Sequence, residues 1–404
     1  MSAVIVGAGL AGLTTAAALR EYGYGGEIVL LGDEPHPPYD RPPLSKAFLT
    51  GDADEQTLPL RSGAAWDALD LRFVRARVDA VDPAARSVRT GHEALRYDQL
   101  VWATGGAPRR FPGPGGDLRG VHHLRTLEDA RALRTSLGSV TDAVVVGGGY
   151  IGLEVTAAMV GMGIRVTVLE AEARLLSRVT SEVVSSYYHR VHAAQGVDIR
   201  LATTATEFRG QGGALSGVLT SAGDVIAAQA VVVGIGLIPH VEPLRAAGAQ
   251  CTNGVDTDAS GRTTLPGIWA AGDCANHAGG FTSGRRVRLE TVHNATQRAR
   301  IVAASIAGVD LPQEEAPWGW SNQYDVKLKS TGLRGVDDRI IQRGDPREDR
   351  FSVLYLDGDR LTAIDAVNSV RDYAQARRLL QAGHRIATDR AGDPSTPLID
   401  LVLS

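Results

Sequence analysis

The sequence predicts an α/β protein with two doubly wound parallel-sheet domains and a smaller α/β domain toward its C-terminal end. Three observations carry that expectation. A strand, a glycine-rich turn and a helix open the chain; the same arrangement recurs from Ala143; and after LPQEEAPWGW, which ends at Trp320, the pattern changes to the alternation of half-buried strands. With 404 residues, 44% hydrophobic and 22% charged, the chain can form two or three domains with sizeable cores.

The first arrangement begins with AVIV, continues through Gly7, Gly9 and Gly12 of GAGLAG, and enters an Ala- and Leu-rich helix that ends near Gly23. The first glycine permits the tight turn, the second lets backbone approach a pyrophosphate, and the third lets helix and strand pack closely. The helix N-terminus then faces the anionic phosphates. A second strand, EIVLLGD, ends at Asp33, about 20 residues further on, where an acid receives ribose hydroxyls.

The second arrangement repeats each part: AVVV, then Gly147, Gly149 and Gly152 of GGGYIG, a helix to about Met162, and RVTVLE ending at Glu170. Two complete units predict two Rossmann-like domains and two bound dinucleotides. Glu170 is placed to accept from a ribose 2'-hydroxyl and to repel a 2'-phosphate, which favours NADH over NADPH. Arg174 and Arg178 leave the choice open, since either could meet the extra phosphate, hold the pyrophosphate or simply be solvated.

Composition narrows the function classes. A formal charge of -4 argues against nucleic-acid binding, which calls for a basic excess or stripe. No apolar run approaches the roughly 18 residues of a membrane span, and MSAVIVGAG lacks the features of a signal peptide, so a cytoplasmic location is expected. The two cysteines, Cys251 and Cys274, are far apart and read as small buried residues. His122, His123, His189 and His192 lack companions at metal-ligand spacing, so no metal site is expected.

Further along, WATGG (Trp102 to Gly106), GIGLIP (Gly234 to Pro239) and GIWAAGDCA (Gly267 to Ala275) resemble the passages between domains and the later flavin motif of two-dinucleotide-domain flavoprotein reductases. More specific are RPPLSK (Arg41 to Lys46), LRTLEDA (Leu124 to Ala130), GGGYIGLE (Gly147 to Glu154), ETVHNATQRAR (Glu290 to Arg300) and PWGWSNQYDVKLK (Pro317 to Lys329). On these motifs the chain resembles, over essentially its whole length, the FAD-dependent NADH:ferredoxin reductases of bacterial oxygenase systems. Those are members of the pyridine nucleotide-disulfide oxidoreductase superfamily that lack the redox disulfide. Gly319 departs from the pattern, standing where these reductases often carry an aromatic residue.

The resemblance implies a glutathione-reductase-like fold: a split FAD domain over residues 1–109 and 236–313, an NAD domain over 110–235, and a C-terminal domain over 314–404. FAD would lie on the first fingerprint. Its contacts would come from Gly7, Gly9, Ala11, Gly12, Asp33, Arg41, Lys46, Val78, Ala103, Thr104, Gly105, Arg125, Gly272, Asp273, Val292 and Trp320. NAD would lie on the second, with Gly147, Gly149, Tyr150, Ile151, Gly152, Glu154, Glu170, Arg178 and Gly236. In the third domain FSVLYLDGDRLTAIDAVN reads as a hairpin turning at Asp357 and Gly358, with a helix from near Arg371.

Relatives with this layout pass electrons through cysteines just after the second strand, in the stretch occupied here by PYDRPPLSK, and no cysteine precedes Cys251. Thiolate relay chemistry is thereby disfavoured. A flavin can instead accept a hydride from NADH and release electrons singly to a [2Fe-2S] ferredoxin, which supplies a haem monooxygenase or Rieske dioxygenase.

The resemblance further implies that Lys46 and Glu154 meet beside the flavin and that Trp320 borders it as an electron exit. Read from the residues alone, Glu154 is equally an acid favoured by its helix dipole and Lys46 a surface amine. An acidic ferredoxin would dock on a positive patch, with Arg300, Lys327 and Lys329 as candidates and Arg285, Arg286 and Arg288 nearby in sequence. Reduction of rubredoxin, quinone or oxygen, and a redox-regulated flavoprotein resembling apoptosis-inducing factor, remain the alternatives.

Overall fold

The computed structural model describes residues 1–91, 93–282 and 284–403. The chain divides into two compact units, each assembled from separated stretches. The first comprises Met1–Asp40, Leu58–Ala107 and Ile238–Gly319, and the second Arg41–Thr57, Pro108–Leu237 and the chain from Trp320 onward.

In the first unit a parallel sheet runs in the order Ile268–Ala270, Gln99–Trp102, Ser2–Val6, Glu27–Gly32, Arg72–Arg75. Ser2–Val6 is central, with Val4 between Val29 and Leu100. Such a strand is covered on both faces and therefore reads as an unbroken apolar run. Ala3 and Ile5 pack with Ala16 and Leu19 of helix Leu10–Glu21 and with Val302 of helix Val292–Ala307. Val4 and Val6 face the other way, toward Val81 and Val88 of a small antiparallel sheet.

The second unit repeats this plan. Its parallel sheet runs Asp198–Arg200, Arg165–Leu169, Asp142–Val146, Ala230–Val233, Val121–His122. Ala143 and Val145 share a core with Val155 and Met159 of helix Tyr150–Gly161, while Val144 and Val146 pack with Phe208 and Val218 of an antiparallel sheet.

A five-stranded antiparallel sheet completes this unit, in the order Trp318–Gln323, Val326–Gly332, Arg360–Val367, Arg350–Asp357, Arg339–Asp345, followed by helix Val370–Ala382. The hairpin closes with Asp357 opposite Arg360. Leu328, Phe351 and Val353 of this sheet, and Leu49 of the short helix Ala47–Thr50, enter the same core as Val155 and Tyr187. Two five-stranded parallel sheets, together with the antiparallel sheets, agree with the α/β class read from the sequence.

Candidate functional site: two dinucleotide cradles and a buried ion pair

The two fingerprints are near copies in space. Gly7 has φ of +110° and Gly147 of +109°, in the left-handed region open to glycine. A Cβ on Gly7 would lie 2.2 Å from the Ala103 carbonyl oxygen, and one on Gly147 would lie 2.4 Å from that of Gly234. A Cβ on Gly12 would lie 1.9 Å from the Gly7 carbonyl oxygen, and one on Gly152 would lie 2.1 Å from that of Gly147. The sequence therefore needs glycine at both ends of each turn to bring strand, helix and neighbouring strand together.

Gly9 and Gly149 cap the two helices, and a Cβ on either would meet no atom within 4 Å. Neither helix has a side-chain cap or an acid in its first turn. Each thus offers free N–H groups and the positive end of its dipole across open space, which fits a pyrophosphate.

Around the first cradle the fold gathers several expected residues. Ala11 is buried, and a Cβ on Gly272 would lie 2.8 Å from its methyl group, so Gly272 and Asp273 stand beside the fingerprint helix. The Ala103–Gly105 turn is braced by His240: Trp102 Nε1 and Thr104 Oγ1 donate to its carbonyl at 2.7 and 2.8 Å, and its N–H donates to Gly105 O at 3.0 Å. Asp33 is exposed at the end of its strand, 4.0 Å from Arg77. Val78 is buried in the core and Val292 opens its helix, capped by the Thr291 side chain.

Around the second cradle, Glu170 is turned back onto the fingerprint. Its Oε2 accepts from the Gly148 N–H at 2.6 Å and its Oε1 from the Glu172 N–H at 2.8 Å. The two arginines separate clearly. Arg174 is consumed internally, donating to Thr180 O, Ser185 Oγ and Ser177 O at 3.0, 2.6 and 2.7 Å. Arg178 is exposed, and its Nη2 lies 3.9 Å from where a Gly236 Cβ would be. Ile151, at the helix start, exposes 46% of its surface, whereas Tyr150 is half-buried against the core and burial pushes its phenol pKa up.

Lys46 and Glu154 meet within the second unit. Pro42–Ser45 forms a short 3-10 helix whose prolines stiffen its start, and the Lys46 N–H donates to Pro43 O at 3.0 Å. Lys46 Nζ then reaches Glu154 Oε2 at 2.5 Å. Ser45 Oγ donates to the same oxygen at 2.6 Å, and Ser321 Oγ donates to Oε1 at 2.7 Å. The Glu154 side chain is 3% exposed and that of Lys46 22%, so the pair is largely withdrawn from water. Arg41 belongs to the same segment, and its Nη1 donates to the Arg125 carbonyl at 2.7 Å. Trp320, half-buried, immediately precedes Ser321. Sequence reading missed Ser45, Ser321 and the braces Gly234 and His240; the first three sit inside quoted motifs, while His240 has no distinguishing sequence signal.

The cysteines have no relay geometry. Cys274 is fully buried, its Sγ facing the carbonyls of Ala271 and Trp102 at 3.4 and 3.5 Å, and burial pushes its thiol up to about 11. Burial also raises Cys251. Among the candidate docking cations, Arg300 is bound to Glu21 at 2.5 and 2.9 Å and lies over the Tyr22 ring, and Arg288 pairs with Glu290 at 2.6 Å. Arg286 donates to the Thr257 carbonyl, and Arg285 is exposed. Lys327 and Lys329 are exposed at alternate positions of Val326–Gly332, hence on one face of that strand, with Lys329 Nζ 5.3 Å from the Tyr373 ring centroid.

The family model "Pyridine nucleotide-disulphide oxidoreductase" matches residues 1–299, and "Reductase C-terminal" matches residues 318–402. A ferredoxin–NAD(P)(+) reductase of a Sphingomonas species is 42% identical over 98% of this chain and 96% of its own length. Putidaredoxin reductase of Pseudomonas putida is 41% identical over 99% of this chain and 96% of its own. Among solved structures, a covalent putidaredoxin reductase–putidaredoxin complex superposes with a TM-score of 0.96 at 40% identity, covering 99% of this chain and 97% of that one. The resemblance read from the motifs is thus borne out: the chain belongs to the pyridine nucleotide-disulphide oxidoreductases, a family that uses flavin and pyridine nucleotide, and carries their reductase C-terminal domain.

Proposed function

We propose that the chain is an NADH-dependent ferredoxin reductase that holds FAD on the first cradle and NADH on the second. The observation that carries this reading is the doubling of the cradle itself: two open, uncapped helix N-termini, each pinned by the same two glycine approaches, give one chain two dinucleotide sites. Relatives that match over nearly the whole chain are ferredoxin and putidaredoxin reductases, and electron delivery to a [2Fe-2S] ferredoxin of an oxygenase system follows from that likeness.

When bound, the flavin accepts a hydride from NADH and passes electrons on singly. The residues of the chain bind, orient and balance charge. Gly9 and Gly149 let backbone approach the two pyrophosphates, and Asp33 and Glu170 stand at the strand ends where ribose hydroxyls are received. The anionic Glu170 disfavours a 2'-phosphate, and Arg174, occupied by its own loop, leaves Arg178 as the cation that could oppose it. Lys46, balanced and aimed by Glu154, would supply a fixed positive charge for flavin chemistry, and by the likeness to the relatives Trp320 would serve as the exit for electrons. Lys327 and Lys329 present the charge that meets an acidic ferredoxin. Among the described residues no helix is long and apolar enough to cross a membrane, and work in the cytoplasm, where NADH is supplied, is part of the proposal.

An acceptor panel tests the function. NADH-driven turnover should be supported by [2Fe-2S] ferredoxins well above rubredoxin, quinone or oxygen, with no change of oligomer size on reduction. Faster turnover with rubredoxin or quinone would move the assignment to the alternative acceptor. Slow NADH oxidation with a change in oligomer size would favour the redox-regulated class.

A further inference from the structure

Tyr324 holds an unfavourable backbone conformation. It stands in the turn between Trp318–Gln323 and Val326–Gly332 with φ of +53°, a left-handed conformation that costs a bulky residue stability and persists only where its surroundings hold it. Its hydroxyl lies 3.1 Å from Nδ1 of His192, which is fully buried, and Nε2 of His192 lies 2.8 Å from Gln323 Oε1. Gln323 Nε2 donates to Ser321 Oγ at 3.0 Å, and Ser321 Oγ donates to Glu154 Oε1 at 2.7 Å. Gln323 and Ser321 are buried as well.

The direction of every hydrogen in this series is determined. An ionised carboxylate only accepts, so the Ser321 hydroxyl hydrogen points at Glu154. Ser321 Oγ then accepts from the Gln323 amide NH2, which turns the amide carbonyl toward His192. That carbonyl requires the hydrogen of His192 on Nε2, leaving Nδ1 to accept from the Tyr324 hydroxyl. Burial lowers the His192 pKa, in keeping with a neutral ring that carries a single hydrogen. All four donors therefore point toward the Glu154 oxygen that Lys46 does not occupy.

We propose that Gln323 and His192 are positioning residues: they aim the Ser321 hydroxyl at Glu154 Oε1 and so fix the carboxylate with Oε2 turned to Lys46. The proposal deepens the functional reading and rests on it, because the Lys46–Glu154 pair matters to the reaction only if it serves the flavin. His192 sets the amide orientation, Gln323 relays it to Ser321, and the held turn at Tyr324 supplies the hydrogen that completes the order.

Gln323→Glu tests the direction of the array, since it preserves shape and replaces the N–H donor with an acceptor. The ionisable groups around this position are His192, Tyr324, His189, Tyr188, Glu154 and Lys46. While the introduced carboxylate is ionised, the Ser321 hydroxyl turns to it and Glu154 loses a donor. Once protonated, the new side chain offers an O–H in place of the amide.

In rapid mixing with NADH, flavin reduction in this variant should be about tenfold slower than wild type near pH 8, recovering toward wild type near pH 6. Gln323→Leu should be about tenfold slower at both pH values. A Gln323→Glu rate equal to wild type throughout, or a loss that does not change with pH, overturns the array. Ser321→Ala, a smaller change, removes the same donor and should show the same slowing with flavin content retained; a wild-type rate in that variant also overturns it. Failure of wild-type protein to be reduced by NADH would instead overturn the functional reading, so the two failures are distinct.

Discussion

The Lys46 ammonium and the Glu154 carboxylate lie 2.5 Å apart, joined across 108 positions of sequence, and Glu154 is 3% exposed. Removing one partner of such a buried pair leaves an uncompensated charge, at a cost of about 3 kcal/mol, whereas removing both costs less. Lys46→Met and Glu154→Gln should each slow flavin reduction by NADH by at least about tenfold, and the double variant should lose less than the product of the two. Stopped-flow rates with urea unfolding of all three variants check this.

Gly12→Ala and Gly152→Ala separate the two cradles. Each added methyl would meet a backbone carbonyl, at 1.9 and 2.1 Å, and must force helix from strand. Gly12→Ala should purify with little flavin. Gly152→Ala should retain flavin yet need at least about tenfold more NADH, as expected for about 1.4 kcal/mol or more of lost binding. Absorbance spectra and KM for NADH read the outcomes.

Nucleotide choice should respond to Arg178 and not to Arg174. Arg178→Ala should leave NADH turnover near wild type and lower kcat/KM for NADPH by about fivefold, the usual scale for one exposed charge pair. Arg174→Ala should lower stability, because its three donors close the loop from Ser177 to Ser185, without changing the NADH to NADPH ratio. Comparing kcat/KM for the two nucleotides checks both.

Docking charge should show in salt dependence. Lys327→Glu with Lys329→Glu should raise KM for an acidic ferredoxin by about tenfold and flatten its dependence on ionic strength, while NADH-to-ferricyanide turnover stays unchanged.

His277 makes stability pH-dependent. Burial first, and then the nearby Arg298 charge, lower its pKa from 6.5 to about 4. The folded state holds it neutral while the unfolded state takes up a proton, so its contribution is complete above about pH 6.5 and falls away as pH drops toward 4, by about 3 kcal/mol in all. Urea midpoints of the flavin-loaded protein should decline over that window, and His277→Gln should flatten the decline.

The sequence made the cradles legible because their chemistry is local: the glycines, strand and acid of each lie within one short stretch. The approaches that close them were not legible. Ala103 and Gly234 supply the carbonyls against which Gly7 and Gly147 pack, yet neither carries a side-chain signature for that task. The Lys46–Glu154 meeting could be reached only through family likeness, since 108 residues separate the partners and neither environment is visible in sequence. His192 showed in sequence only a lack of companions at metal-ligand spacing, and its burial against Gln323 emerges only when the C-terminal sheet packs on helix Glu182–Ala194. Arg174 and Arg178, four positions apart and chemically identical, were separated only by the fold: one guanidinium is saturated by its own loop and the other is exposed.

The most direct measurement mixes purified protein anaerobically with one equivalent of NADH and then with a [2Fe-2S] ferredoxin, following the flavin and ferredoxin absorbance. Electron relay from NADH through FAD to ferredoxin requires a yellow protein that bleaches with NADH, regains its colour on adding ferredoxin, and reduces two ferredoxins per NADH. A colourless preparation that takes up no FAD, or a yellow one that NADH leaves oxidised, would contradict it.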